Sequence, residues 1–183
     1  LVYGEKMIDF LKEKKAFSSL KRYVATGNYR KMYYEKQKAF YDPLIEELLF
    51  SSLPKENQVI LYAPTWEDAE NSSSFAFALP YLIENLPTGY SLVVKPHPNL
   101  LMEGKEENQE LVKRFSGRKN ILFLNELPPV YPLLAKTAIY IGDMSSIGYD
   151  FLFFTKPMFF ITPQRDRQLE KHSLLKCGHV IKN

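Results

Sequence analysis

Cysteine occurs once in the 183 residues, as Cys177, so an intrachain disulfide and a clustered-thiolate metal site are both excluded. A reducing cytoplasm suits such a chain. No apolar run approaches the roughly 20 residues that cross a bilayer, and the first residues lack the charged-then-apolar pattern of a secretory signal. The chain is therefore expected neither to span a membrane nor to be exported. It opens on Leu1-Val2-Tyr3-Gly4 instead of Met, the expectation being an internal piece of a larger protein. Glycine is scarce, 8 residues against 12 prolines, which favours defined turns over flexible linkers. The Gly-x-Gly-x-x-Gly dinucleotide fingerprint, the Walker phosphate loop, the Gly-x-Ser-x-Gly nucleophile elbow and the His-Glu-x-x-His zinc motif are all missing, which argues against common oxidoreductases, NTPases, esterases and zinc proteases. Neither spaced base-reading aromatics nor a nucleic-acid-binding motif is present, so nucleic acid is not expected as a partner.

What the chain does contain is enough apolar residue, 45%, for one folded core. Its charge is uneven. The first 40 residues hold ten Lys/Arg against four Asp/Glu, a local +6, and the remainder carries −3. That front could meet an anionic membrane surface or a polyanionic substrate, or it could be an ordinary solvated face. It reads as mostly helical: an amphipathic helix over 3–15, a short strand Tyr23–Gly27 ending in a turn, a helix capped by Asn28, and a second helix restarting at Asp42-Pro43. Residues 1–52 form this lead-in and domain junction, and 53–183 a separate α/β domain.

From Val59 onward, short apolar runs alternate with amphipathic stretches. The runs are Val59–Tyr62, Ser91–Val94, Ile121–Leu124, Ala138–Ile141 and Met158–Ile161, each too short for a helix and lacking polar alternation, as in strands buried on both faces. Helical candidates lie between them near 75–86, 106–116, 129–136 and 146–154. The pattern is that of a parallel sheet with right-handed crossovers and helices on both faces.

Ligands of such sheets sit at the carboxyl ends of the strands, so the residues just past each run are the candidates. Ser145 and Ser146 begin a helix, where orphan backbone N–H groups and two hydroxyls could meet a phosphate; simple N-capping by Ser145, with Asp143 completing the turn, would satisfy the same residues. His97 stands between two prolines that restrict its backbone. It could donate to a phosphate oxygen or, as imidazolium, stabilise developing negative charge, with Lys95 adding charge nearby; the alternative is a histidine that satisfies a loop carbonyl. Thr65 and Trp66 could border a nucleotide, although Trp66 could equally pack, and Asn125 and Glu126 could contact a base or ribose. Asp143 and Asp150 are expected to orient backbone and neighbouring side chains, and Tyr131 to anchor the helix that follows. His172 and His179 fall in what reads as a polar, solvent-exposed tail. No metal ligand set is apparent.

Taken together, Ile60-Leu61-Tyr62-Ala63-Pro64-Thr65-Trp66, Lys95-Pro96-His97-Pro98 and Gly142-Asp143-Met144-Ser145-Ser146, followed by Tyr149-Asp150-Phe151-Leu152 and Lys156-Pro157, resemble the CDP-glycerol glycerophosphotransferase family of teichoic-acid polymerase type. The likeness covers about residues 20–165 with the motifs in the family's order. It implies the C-terminal, Rossmann-like, donor-binding half of a GT-B transferase. The reaction implied is transfer of glycerol phosphate from CDP-glycerol, as substrate and not cofactor, to a membrane-linked acceptor at the inner face of the cell membrane. His97 would be catalytic and, with Lys95, Ser145 and Ser146, would hold the donor phosphates; Thr65 and Asn125 would lie near the nucleotide. The acceptor-binding N-terminal domain, with a further basic histidine, has no counterpart in this chain. Glu67 stands where the family often carries Arg. A GT-B glycosyltransferase or nucleotide-sugar epimerase using a UDP or GDP sugar is the alternative, and a non-catalytic nucleotide-binding module is a third reading.

Overall fold

The computed structural model describes residues 1–66, 73–102, 106–125, 129–162 and 173–182. They fall into two compact units, Leu1–Tyr41 and Asp42–Asn183. In the first, helix α1 (Glu5–Glu13) follows a parallel bridge between Val2 and Ala25, closed by Val2 N–H to the Val24 carbonyl and Thr26 N–H to the Val2 carbonyl, both 2.9 Å. The short strand expected at Tyr23–Gly27 is thus reduced to this one bridge. Gly27 turns the chain at φ +62°, a left-handed conformation that costs glycine little. Asn28 Oδ1 then accepts from Lys31 N–H at 3.0 Å, capping α2 (Tyr29–Leu48).

Pro43 lies inside α2, so the expected restart at Asp42-Pro43 is not there. Proline cannot donate to the carbonyl of Ala39, a loss of up to about 3 kcal/mol in a helix interior. Helical continuation nevertheless carries Ile45 into the core of the second unit, together with Phe50 and Leu53 just beyond the helix. Ile45 and Phe50 lie within the stretch that the sequence pattern assigned to lead-in and junction, and Leu53 is the first residue beyond it.

The second unit is built on a six-stranded sheet: β1 (Gln58–Ala63), β2 (Tyr90–Val94), β3 (Ile121–Phe123), β4 (Ile139–Gly142), β5 (Met158–Thr162) and β6 (His179–Lys182). The order is β3-β2-β1-β4-β5-β6, with every pairing parallel. Alternation along β1 shows why its apolar run is continuous. Val59, Leu61 and Ala63 face a cluster that includes Leu133 and Leu134 of α5 (Tyr131–Lys136) and Phe151 of α6 (Ser146–Phe151). Ile60 and Tyr62 face Phe75, Leu79 and Ile83 of α3 (Phe75–Glu84) and Phe115 of α4 (Glu106–Phe115). Each fully buried Leu or Phe in these layers contributes about 1.5–3 kcal/mol by leaving water.

The sixth strand corrects the reading of the C-terminal stretch as a polar tail. Leu174 and Leu175 are buried, and His179 pairs with Phe159 in the sheet and stacks on its ring at 5.4 Å, its side chain remaining exposed. Only Val180 and Ile181 are apolar in this edge strand, too few to register as a run. His172 lies outside the described residues.

Candidate functional site

The chain leaves β1 toward β2 on one side and leaves β4 toward β5 on the other, yet β1 and β4 are neighbours, paired as far as Ala63 with Gly142. Their following helices, α3 and α6, pack on opposite faces, the arrangement that in open parallel sheets leaves a crevice at the carboxyl ends of the two strands. The β1 loop Pro64-Thr65-Trp66 and the β4 loop Asp143-Met144-Ser145 border it.

Asp143 binds these segments together. Its side chain is 2% exposed, and Oδ2 accepts from Thr65 N–H at 2.9 Å and Ser74 N–H at 3.1 Å. One carboxylate therefore joins the β1 loop, the start of α3 and the end of β4. Ser74 Oγ lies 2.7 Å from the Tyr62 hydroxyl, while Ser73 Oγ donates to the Thr65 carbonyl at 2.8 Å and accepts from Phe75 N–H at 3.2 Å, in the turn that leads into α3. Burial raises the Asp143 pKa to about 6, the hydrogen bonds from Ser74 and Thr65 opposing the shift. Its Oδ1 is buried and has no hydrogen-bond partner among the described residues. Burial, and then the charge of Asp143, push the Tyr62 phenol well up, so Tyr62 stays protonated.

At the end of β2, Lys95 N–H donates to the Tyr62 carbonyl at 2.8 Å, holding the next loop against β1. His97 sits at φ −64°, ψ 139°, and its Nδ1 accepts from Asn99 N–H at 3.2 Å. The imidazole therefore satisfies a backbone donor and not a loop carbonyl, which places the proton of the neutral ring on Nε2. Partial burial of the ring, and then the Lys95 ammonium, lower the His97 pKa, while burial lowers that of Lys95. Near neutral pH His97 is thus a neutral N–H donor, in preference to imidazolium. Its ring centre is 6.2 Å from that of Trp66, the planes 34° apart.

Ser145 precedes α6 in an extended conformation and makes no side-chain capping bond. The capping alternative is therefore not realised: its Oγ pairs instead with the Tyr140 hydroxyl at 3.2 Å. Ser145 is half-buried and Ser146 exposed. Asp150 is buried, its Oδ1 accepting from Tyr131 OH at 3.0 Å, a tie between α5 and α6. Contacts thus link Trp66 to His97 and Thr65 to Asp143, with Ser145 two residues further on. Asn125 is exposed past β3, two strands away from the crevice, and Glu126 and Glu67 lie outside the described residues. Sequence reasoning passed over Ser73, Ser74, Tyr62 and Tyr140. The serines read as loop, and the tyrosines, inside apolar runs, as core; the one available signal was a serine run ahead of an apolar helix.

Among the described residues, no group of three or more His, Cys, Asp or Glu could hold a metal ion, and no helix is long and apolar enough to cross a membrane.

Comparison with known proteins matches residues 12–172 to the family model of CDP-glycerol:poly(glycerophosphate) glycerophosphotransferase. The chain is 34% identical over 111 residues to the teichoic acid glycerol-phosphate primase of Bacillus spizizenii, covering 60% of this chain and 27% of that protein. A variant of the wall teichoic acid polymerase TagF with CDPG superimposes with a TM-score of 0.62 at 19% identity, over 87% of this chain and 36% of that one. UDP-GlcNAc 2-epimerase from Neisseria meningitidis, bound to UDP-GlcNAc, does so with a TM-score of 0.54 at 21% identity, over 80% of this chain and 41% of that one. The two structural likenesses establish an α/β, Rossmann-like fold of the GT-B kind. The chain spans well under half the length of each of these proteins.

Proposed function

The chain belongs to the CDP-glycerol:poly(glycerophosphate) glycerophosphotransferase family, and on that premise we propose that it is the donor-binding part of a transferase that moves glycerol phosphate from CDP-glycerol to a membrane-linked acceptor. The observation that carries this reading is the crevice where the sheet order switches, bordered by Thr65 and Asp143, with His97 beside Trp66. In this reading Nε2–H of His97 and the hydroxyls of Ser145 and Ser146 donate to the donor's phosphate oxygens, Lys95 adds positive charge, and Thr65 and Trp66 lie along the nucleotide. An acceptor hydroxyl forms a new bond to the phosphorus that carries glycerol, the bond from that phosphorus to the bridging oxygen breaks, and CMP leaves with the negative charge. The attacking hydroxyl's proton goes to a base in an acceptor-binding half outside this chain. What these residues contribute is positioning and stabilisation of charge on the phosphates, and loss of one such preorganised donor costs on the order of 100- to 1000-fold in rate.

Calorimetry with CDP-glycerol, CDP and CMP, beside UDP and GDP sugars, tests the reading. The cytidine ligands should bind the wild type and bind His97→Ala more weakly. Equal binding to both proteins would remove His97 from the site, and a preference for a UDP or GDP sugar would favour a glycosyltransferase or epimerase-like role.

The first unit suits the cytoplasmic face of an anionic membrane. It joins a basic excess to exposed Phe10, Tyr23, Tyr29, Met32, Tyr33 and Phe40, a combination of charge attraction and interfacial aromatics. Sedimentation with phosphatidylglycerol vesicles should show binding that weakens with salt; no binding at low salt would exclude this role.

A further inference from the structure

Tyr140 is fully buried in β4, and its hydroxyl reaches past the strand's carboxyl end to meet Ser145 Oγ at 3.2 Å. Its place is tightly made. The ring stacks on Phe151 at 5.4 Å and tilts against Phe160 at 6.2 Å. Two glycines leave room for the phenol: a Cβ at Gly142 would lie 2.5 Å from Tyr140 Oη and 2.8 Å from Cζ, and one at Gly148 would lie 3.5 Å from the same oxygen. At Gly142 any side chain would also meet the Ala63 carbonyl at 2.8 Å, so the glycine serves both the β1 approach and the tyrosine.

We infer that Tyr140 is a positioning residue for anion recognition, its phenol orienting the Ser145 hydroxyl so that the serine hydrogen is presented to a phosphate oxygen of the donor. This inference rests on the reading of Ser145 as a phosphate ligand. The direction of the relay follows from chemistry. An ionised phosphate oxygen has no hydrogen to give, so Ser145 must donate to it, and the serine oxygen is then open to accept from Tyr140. Among the described residues the phenol meets only Ser145, and burial raises its pKa, which keeps it protonated and able to donate. Because Ser145 does not cap α6, its hydroxyl is not committed to the helix backbone. The arrangement removes rotational freedom from a half-buried hydroxyl before the ligand arrives, which is what preorganisation of a donor requires.

A double-mutant cycle read by calorimetry with CDP and with cytidine separates this role from simple packing. Tyr140→Phe keeps the ring and removes only the oxygen; it should weaken CDP binding by about three- to tenfold, the worth of one neutral hydrogen bond, and leave cytidine binding unchanged. Ser145→Ala should weaken CDP binding at least as much. In the Ser145→Ala background, Tyr140→Phe should cause no further loss, because the group it orients is gone. Ser145→Thr, which keeps a hydroxyl, should remain sensitive to Tyr140→Phe.

Unchanged CDP affinity in Tyr140→Phe, an equal loss for cytidine and CDP, or additive losses in the double variant would each overturn the inference while leaving the phosphate role of Ser145 intact. A Tyr140→Phe protein that does not fold gives the equal-loss outcome. If Ser145→Ala binds CDP as the wild type does, the reading beneath the inference fails instead.

Discussion

The two ends of strand β4 are both polar and both crowded, and they are satisfied in different ways. At its start, Lys156 Nζ donates to the carbonyls of Ala135 at 2.7 Å and Thr137 at 2.6 Å, and Thr137 Oγ1 donates to the Leu133 carbonyl at 2.9 Å. These groups close the last turn of α5, where carbonyls lack helical partners and a cation is favoured. At its finish, Asp143 holds two backbone N–H groups and keeps an oxygen in reserve, Ser145 Oγ leans on a phenol, and across the crevice His97 spends only Nδ1 on the backbone. One end consumes its polar capacity in folding. The other leaves the His97 Nε2–H and the Ser145 hydroxyl as donors, while the spare Asp143 oxygen can only accept, and such donors at a sheet's switch point are what an anionic ligand needs.

Chemical denaturation of the wild type, Asp143→Asn and Lys156→Met across pH 4–7 can break this contrast. The larger effect is expected at the finishing end. The folded-state pKa of Asp143 is about 6 against an ordinary 3.8, so between these values the folded protein binds more protons than the unfolded chain. Its contribution therefore falls as pH rises from 4 to 6, by about 2–3 kcal/mol, and Asp143→Asn should abolish that slope relative to the wild type. Lys156→Met should instead lower stability by about 1–2 kcal/mol equally at every pH in this range, keeping the wild-type slope, since the ammonium stays charged throughout. Parallel pH profiles for wild type and Asp143→Asn would mean that the carboxylate is less isolated from water than its burial implies. A Lys156→Met protein as stable as the wild type would show that its carbonyl bonds contribute nothing to α5.

The same contrast explains how much could be read from the chain alone. Five strands announced themselves as apolar runs because both faces of a parallel sheet are buried, and the helices between them followed at their expected places. The sixth strand sits at an edge where two apolar residues suffice, and α2 runs through Pro43 because Ile45 gains burial that local preference cannot foresee. The loops that meet at the crevice could be named from their position after each strand. The ties that hold them could not. Thr65 and Asp143 are 78 positions apart, and the bond between Tyr140 and Ser145 depends on two glycines that make space for a ring, a packing relation without a period.

A crystal structure of the chain soaked with CDP tests the central claim most directly. The diphosphate should lie at the β1–β4 crevice with its oxygens within hydrogen-bonding distance of His97 Nε2 and Ser145 Oγ. A nucleotide bound elsewhere, or one whose phosphates contact neither residue, would contradict it.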